Sequence, residues 1–169
     1  FHSATLWVAN AAATGALLTE QLGYTLVGQE DNRYRYQGAS NDIGLYLDLV
    51  EQPGLPPARL GAGSVHHIAF RTVDDAEQVE YQALLHDSGF QVSPVMDRQY
   101  FHSIYFRSPG GVLFEVATDA PGFDYDESVA ELGSHLKLPR WLEPQRAAIE
   151  AKLPAIQVRA FDAIATEGA

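Results

Sequence analysis

The sequence contains no cysteine. Disulfides, thiolate metal sites and a cysteine nucleophile are therefore excluded, and any metal must be held by histidine, aspartate or glutamate. Basic residues are scarce as well: 11 Lys+Arg stand against 22 Asp+Glu, a formal net charge of −11, with no Lys/Arg cluster. That balance argues against nucleic acid and anionic lipid as partners and leaves a small molecule. No apolar run approaches the roughly 20 residues of a membrane helix, and the first residues do not read as a signal peptide. A cytoplasmic location is the expectation. What is present is an ordinary globular composition, 46% hydrophobic and 20% charged over 169 residues, enough for one sizeable core.

An internal repeat organises the chain. Residues 2–50 and 67–117 can be laid over one another: each opens on a histidine in a short apolar stretch, "HSATLWV" from His2 and "HIAFRTV" from His67. Each continues into an amphipathic segment with nearly the same ending, "ALLTEQLGY" and "ALLHDSGF", and a glycine placed to cap a helix follows the opening histidine by 21 residues (Gly23) or 22 (Gly89). Three strand-like runs come next: "TLVGQE", "RYRYQG" and "DIGLYLDLV", then "FQVSPVM", "FHSIYFR" and "GVLFEVA". The pattern predicts an α+β fold of two βαβββ modules, residues 1–52 and 64–119, joined by a Pro/Gly-rich linker at 53–63. Residues 120–169 form a tail in which "DESVAELGSHLKL" and "EPQRAAIEAKL" read as surface helices.

Strand alternation assigns faces, because residues two apart point the same way. Leu45, Leu47 and Leu49 form one apolar face, leaving Tyr46 and Asp48 on the other; Phe114 and Val116 likewise leave Glu115 on the opposite side. His67 shares that side in the strand after the linker, since Ile68 and Phe70 take the helix-packed face. In the first half His2 and Asp48 hold the matching places. A carboxylate in the middle of an apolar strand is costly to bury unless it is paired or bound to a metal, whereas an uncovered wet sheet would leave it hydrated. Two His–carboxylate pairs at matching spacing favour a site.

The adjacent His66 and His67 cannot both be ordinary ligands of one metal if both lie within a strand. One can ligate while the other acts as a neighbouring acid/base. Tyr105 falls on the face of Glu115, either as a hydrogen-bond donor to a bound oxygen species or as a packing residue. Arg98 reads as a surface ion pair with Asp97, His102 as structural, and His86 and His135 as helix-surface residues.

With "HHIAF" opening one strand and "GGVLFEVATD" closing the module, the paired modules resemble the vicinal oxygen chelate superfamily, which includes glyoxalase I, bleomycin-resistance proteins and extradiol dioxygenases. The run from "VHHIAFRT" through "DRQYFHSIYFRSPGGVLFEVATDAPGFDYDE" is similar to the C-terminal half of hydroquinone-type ring-cleaving dioxygenases. The resemblance implies curved mixed sheets and a mononuclear Fe(II) site, with Mn, Ni or Zn as other candidates. It implies that His67 and Glu115 are metal ligands, His66 an acid/base residue, Tyr105 a hydrogen-bond donor in the pocket, and Arg98 a substrate-orienting group. Substrates would be a small hydroquinone- or catechol-like aromatic and O2. The opening on Phe1 without Met fits a C-terminal piece, inactive alone, whose missing N-terminal half supplies the remaining histidine ligand. His2, with or without Asp48, is the alternative completion of the site within this chain. A glyoxalase-like isomerase or lyase, and a non-catalytic binding module of the bleomycin-resistance type, are the competing functions. A homodimer is expected.

Overall fold

The computed structural model describes residues 2–39, 44–59 and 61–155. Contact between residues divides the chain into two compact units, Phe1–Ala120 and Pro121–Ala169.

The first unit holds both modules. Strand β1 (Ser3–Val8), helix α1 (Ala11–Glu20) and strands β2 (Thr25–Glu30), β3 (Arg33–Gln37) and β4 (Tyr46–Glu51) make the first; β5 (Ile68–Thr72), α2 (Asp75–Asp87), β6 (Met96–Asp97), β7 (His102–Arg107) and β8 (Leu113–Thr118) make the second. Each module is one mixed four-stranded sheet, ordered β1-β4-β3-β2 and β5-β8-β7-β6. In both, the opening strand runs parallel to the last and the remaining pairs are antiparallel. The repeat read from the letters is therefore a repeat of topology.

Local chemistry starts and stops the helices where the sequence places them. The Asn10 side chain accepts from the backbone N–H of Ala12 (2.9 Å) and Ala13 (3.4 Å), and Glu51 Oε2 accepts from Ala11 N–H (2.7 Å), so three otherwise unbonded donors of α1 have partners. Asp74 caps α2 through Glu77 N–H (2.9 Å), while Glu77 Oε2 accepts from Val73 N–H (2.6 Å). At the C-termini, Tyr24 N–H reaches Leu18 O (2.9 Å) and Phe90 N–H reaches Leu85 O (3.0 Å). Both closures need the left-handed backbone that Gly23 (φ 69°) and Gly89 (φ 87°) provide.

One apolar cluster lies beneath both modules and contains Leu6, Val8, Leu17, Leu18, Leu47 and Leu49 from the first with Leu85, Ile104, Phe106, Phe114 and Val116 from the second. Burial of these side chains is the main driving force for the fold, at about 25 cal/mol per Å² of apolar surface. Gln78 is polar on the buried face of α2, yet its Nε2 donates to His102 O (2.9 Å) and Val116 O (2.8 Å), which ties the helix to β7 and β8. The β7–β8 turn also meets the first module: Gly110 N–H donates to Thr14 Oγ1 (3.0 Å).

Three expectations change. Only the last residue of the run "FQVSPVM" is strand, in the short β6 (Met96–Asp97). Ser93 N–H bonds Tyr105 O (2.9 Å), but Tyr105 N–H goes to Ser93 Oγ (2.9 Å) instead of a carbonyl, and Pro94 has no N–H to continue the ladder. The run "DIGLYLDLV" is a strand from Tyr46, and its residues 42–43 lie outside the described residues. In the second unit, residues 126–138 form turns rather than a helix, with Gly133 at φ 76° and Val129, Leu132 and Leu136 exposed. A short helix with no buried face lacks the packing that stabilises it. The second tail helix is a 3-10 turn, Glu143–Gln145, continued by α3 (Arg146–Glu150), where Arg146 bridges Glu143 (2.7 Å) and Glu150 (3.0 Å). Tail residues 156–169 lie outside the described residues.

A β-carbon on Gly110 would stand 2.6 Å from Val8 Cγ1 and 2.8 Å from Thr14 Oγ1, two buried β-branched side chains with little rotamer freedom. Gly110→Ala is expected to destabilise the protein by about 1–3 kcal/mol. Urea unfolding measures this, and an unchanged midpoint would show that the turn can retreat from α1 without loss.

Candidate functional site

Glu115 sits at the centre of β8 between two core residues, Phe114 and Val116, and is only 2% exposed. Its cross-strand neighbours are Ala69 on β5 and Tyr105 on β7. Cross-strand neighbours share a face, so the carboxylate points away from the core, onto the side of the sheet where Ala69 is exposed. Both oxygens have partners there. The Tyr105 hydroxyl donates to Oε1 (2.8 Å), and His67 Nε2 lies 2.7 Å from Oε2. Those contacts supply what a buried carboxylate requires.

The two histidines are closer to each other than alternation within a strand allows. Strand β5 begins at Ile68, so His66 and His67 precede it on a backbone free of the pleat. Their Nδ1 atoms are 2.9 Å apart, one donating and the other accepting, and the rings meet edge to face with centroids 5.2 Å apart. His67 is part-buried and His66 is exposed. Arg98 completes the group: its guanidinium lies over the Tyr105 ring, 5.3 Å from the centroid, within cation–π range. The Asp97 carboxylate accepts instead from Gln99 N–H (2.7 Å). The structure therefore brings His66, His67, Glu115, Tyr105 and Arg98 into one connected chain of contacts.

Two donors that bind one ion side by side at about 2.1 Å stand roughly 3 Å apart, and His67 Nε2 and Glu115 Oε2 are spaced close to that. An imidazole nitrogen with a carboxylate oxygen suits a borderline divalent metal such as iron, manganese or zinc. The outer atoms of both groups are tethered, His67 Nδ1 by His66 and Glu115 Oε1 by Tyr105, the usual way of orienting metal-binding side chains. These residues fit two positions of a metal site. Among the described residues no three histidine, aspartate or glutamate side chains are grouped to hold an ion.

His2 is exposed beside the Tyr46 ring on the first sheet, with centroids 5.2 Å apart. Strand pairing refines its place in the repeat. Thr5 pairs with Asp48 as Ala69 pairs with Glu115, so counting back two residues from each puts Ser3, not His2, at the position of His67. Asp48 is buried and takes charge-assisted hydrogen bonds from Arg33 Nη1 (2.6 Å), Arg35 Nε (2.8 Å) and Arg35 Nη2 (2.9 Å). Sequence reading missed these arginines, although "RYRYQ" signals them by setting Arg33 and Arg35 two apart on one face. Elsewhere His102 faces α2, with Nδ1 2.7 Å from Asp75 Oδ1. His86 is exposed on α2, and His135 meets Ser134 Oγ (2.8 Å) in the tail.

A family model described as the glyoxalase/bleomycin resistance protein/dioxygenase superfamily matches residues 1–116. The chain belongs to that superfamily. It is 43% identical over 162 residues to "Putative ring-cleaving dioxygenase MhqO" of Bacillus subtilis (strain 168), covering 96% of this chain and 51% of that protein. It is 35% identical over 148 residues to chlorohydroquinone/hydroquinone 1,2-dioxygenase of Sphingobium indicum, covering 85% of this chain and 45% of that one. The crystal structure of a "putative dioxygenase" from Bacillus subtilis superposes with a TM-score of 0.87 at 43% identity, covering 94% of this chain and 51% of the other. The chain spans about half the length of these relatives. No helix among its described residues is long and apolar enough to cross a membrane.

The Asp48 cluster has a pH signature. Hydrogen bonds from Arg35 first, then Arg33, hold the Asp48 carboxyl below the ordinary carboxylate range despite its burial. A carboxyl whose pKa is lower folded than unfolded contributes stability that is complete above the unfolded value, about 4, and is lost as pH falls through the folded one. Asp48→Asn is expected to lower stability by about 2 kcal/mol at neutral pH and to flatten the loss below pH 4. Urea midpoints from pH 2 to 7 read both effects, and parallel curves for the two proteins would contradict them.

Proposed function

We propose that this chain is the metal-binding half of a ring-cleaving dioxygenase that opens a hydroquinone- or catechol-like aromatic ring with O2. The observation that carries the reading is the His67–Glu115 pair on the open face of the second sheet, tethered on both outer sides. The names of the relatives support the reaction class. A divalent metal, Fe(II) in this reading, would be held by His67 and Glu115 and would supply Lewis acidity toward the substrate and dioxygen.

The chain's own residues divide the remaining work. His67 through Nε2 and Glu115 through Oε2 would hold the metal. Tyr105 is a positioning residue, because its hydroxyl proton is committed to Glu115 Oε1 and keeps Oε2 directed at the site. His66 turns Nδ1 to His67 and leaves Nε2 as the nitrogen that exchanges the phenolic proton of the substrate. Arg98, exposed above the Tyr105 ring, attracts and orients a phenolate oxygen. The third protein ligand comes in this reading from the other half of the enzyme, with His2 as the alternative. A cytoplasmic, homodimeric enzyme belongs to the same reading.

Oxygen uptake with hydroquinone, after anaerobic Fe(II) loading of the full-length protein that contains this chain, tests the proposal. His67→Ala and Glu115→Ala are each expected to reduce turnover by at least about a hundredfold and to lower bound iron. Full activity in either variant removes that residue from the ligand set. Stoichiometric metal without oxygen uptake points to the isomerase or lyase instead. An intact protein that binds the aromatic but no metal points to a sequestering module.

A further inference from the structure

We infer that Ser103 recognises the second oxygen of the aromatic substrate, and that the site takes a ring carrying its two oxygens para rather than ortho. The inference rests on the ring-cleaving reading for the place of the first oxygen, at His67 and Glu115. Among the described residues three buried side-chain oxygens have no hydrogen-bond partner: Gln21 Oε1, Gln78 Oε1 and Ser103 Oγ. The glutamines belong to the end of α1 and to α2. Ser103 belongs to the face of the site, since it stands two residues before Tyr105 on β7 and pairs with Ala117, two residues beyond Glu115 on β8. It is 0% exposed. A hydroxyl kept from water with no partner costs free energy that a ligand oxygen would recover.

The rows of the sheet show where such a ring fits. Glu115 has Ala69 and Tyr105 across the strands, and the next row is Arg71, Ala117, Ser103 and Met96. On the first sheet the corresponding places hold Thr5 beside Asp48, then Trp7, Val50 and Arg33. The second sheet is thus cut down to alanine and serine beside its carboxylate, where the first is filled. Ala69 is exposed and Ala117 half-buried, so a flat ring can lie on them. Arg71 is turned aside to Asp119 (2.6 Å). Ser103 is the diagonal neighbour of Glu115, about 7–8 Å away. Two oxygens held ortho on a ring are too close together to meet both groups, whereas two held para, with the ring between them, reach both. Met96 stands next to Ser103 on this face, in contact with Arg98 Nη2 (3.7 Å), and its unbranched thioether can swing off the hydroxyl to admit the ring.

Anaerobic calorimetric titration of the full-length, Fe(II)-loaded protein with hydroquinone, 4-methylphenol and catechol tests the inference. Hydroquinone is expected to bind about tenfold more tightly than 4-methylphenol, which carries a methyl group in place of the second hydroxyl; that is the worth of one hydrogen bond. Ser103→Ala should remove the preference by weakening hydroquinone alone, with catechol and bound iron unchanged. The urea midpoint of the ligand-free Ser103→Ala protein should not fall, because the hydroxyl it loses has no partner to give up. A preference that survives in Ser103→Ala overturns the inference, as does a wild-type protein that binds the two para-substituted phenols equally, or a variant that loses catechol as much as hydroquinone. A lowered midpoint with the preference intact also overturns it and assigns the hydroxyl to a trapped water. Oxygen uptake by the same proteins separates the two readings: turnover of hydroquinone with a preference unmoved by Ser103→Ala overturns the role of Ser103 and leaves the dioxygenase standing, whereas absence of binding by all three compounds overturns both.

Discussion

A carboxylate buried in an apolar strand must be given partners, and in this protein that requirement shapes both sheets. Asp48 and Glu115 each stand third in the last strand of a module, flanked by residues that the core holds in place. Isolated in a dry sheet, either charge would cost several kcal/mol. Each module meets the requirement from the neighbouring strands, and its choice of partner decides what the face can do.

The contrast between modules shows how one fold can give two different sets of partners to the same buried carboxylate. Tyr105 and Arg35 occupy the same position across from their carboxylates and both hydrogen-bond to them. A phenol leaves the carboxylate charge unopposed and available to a metal. Guanidinium groups neutralise the charge. The helices, caps and core are shared, so the difference is written in a few outward-facing residues of strands that are otherwise equivalent.

Much of this was legible in the letters. Glycines at 23 and 89, the apolar faces of Leu47/Leu49 and Phe114/Val116, and the outward side of Glu115 follow from local rules of capping and alternation, which need no knowledge of the rest of the chain. Where a neighbour intervenes those rules fail. Ser93 gives Tyr105 a side-chain oxygen in place of a carbonyl, and Pro94 ends the pairing, so "FQVSPVM" is mostly not strand despite its composition. Residues 126–138 have helical letters but no surface to pack on. The repeat aligned His2 with His67, whereas strand register aligns Ser3 with it, because letters cannot count the residue by which two strands slide.

By itself the sequence determined the two-module plan and the face on which each carboxylate lies, since hydrophobic periodicity and turn chemistry act over a few residues; that both are buried is decided by the folded sheets. Only the tertiary structure decided which side chains meet there. His66 approaches His67 because β5 starts one residue later than the apolar run suggests, and Tyr105, with Arg98 over its ring, reaches Glu115 from a strand that only register brings alongside. Arg33 and Arg35 close on Asp48 by the same means. Hydrogen bonds and ion pairs act over about 3 Å, and residues 10 to 48 positions apart in the chain come within that distance only once the sheets have formed.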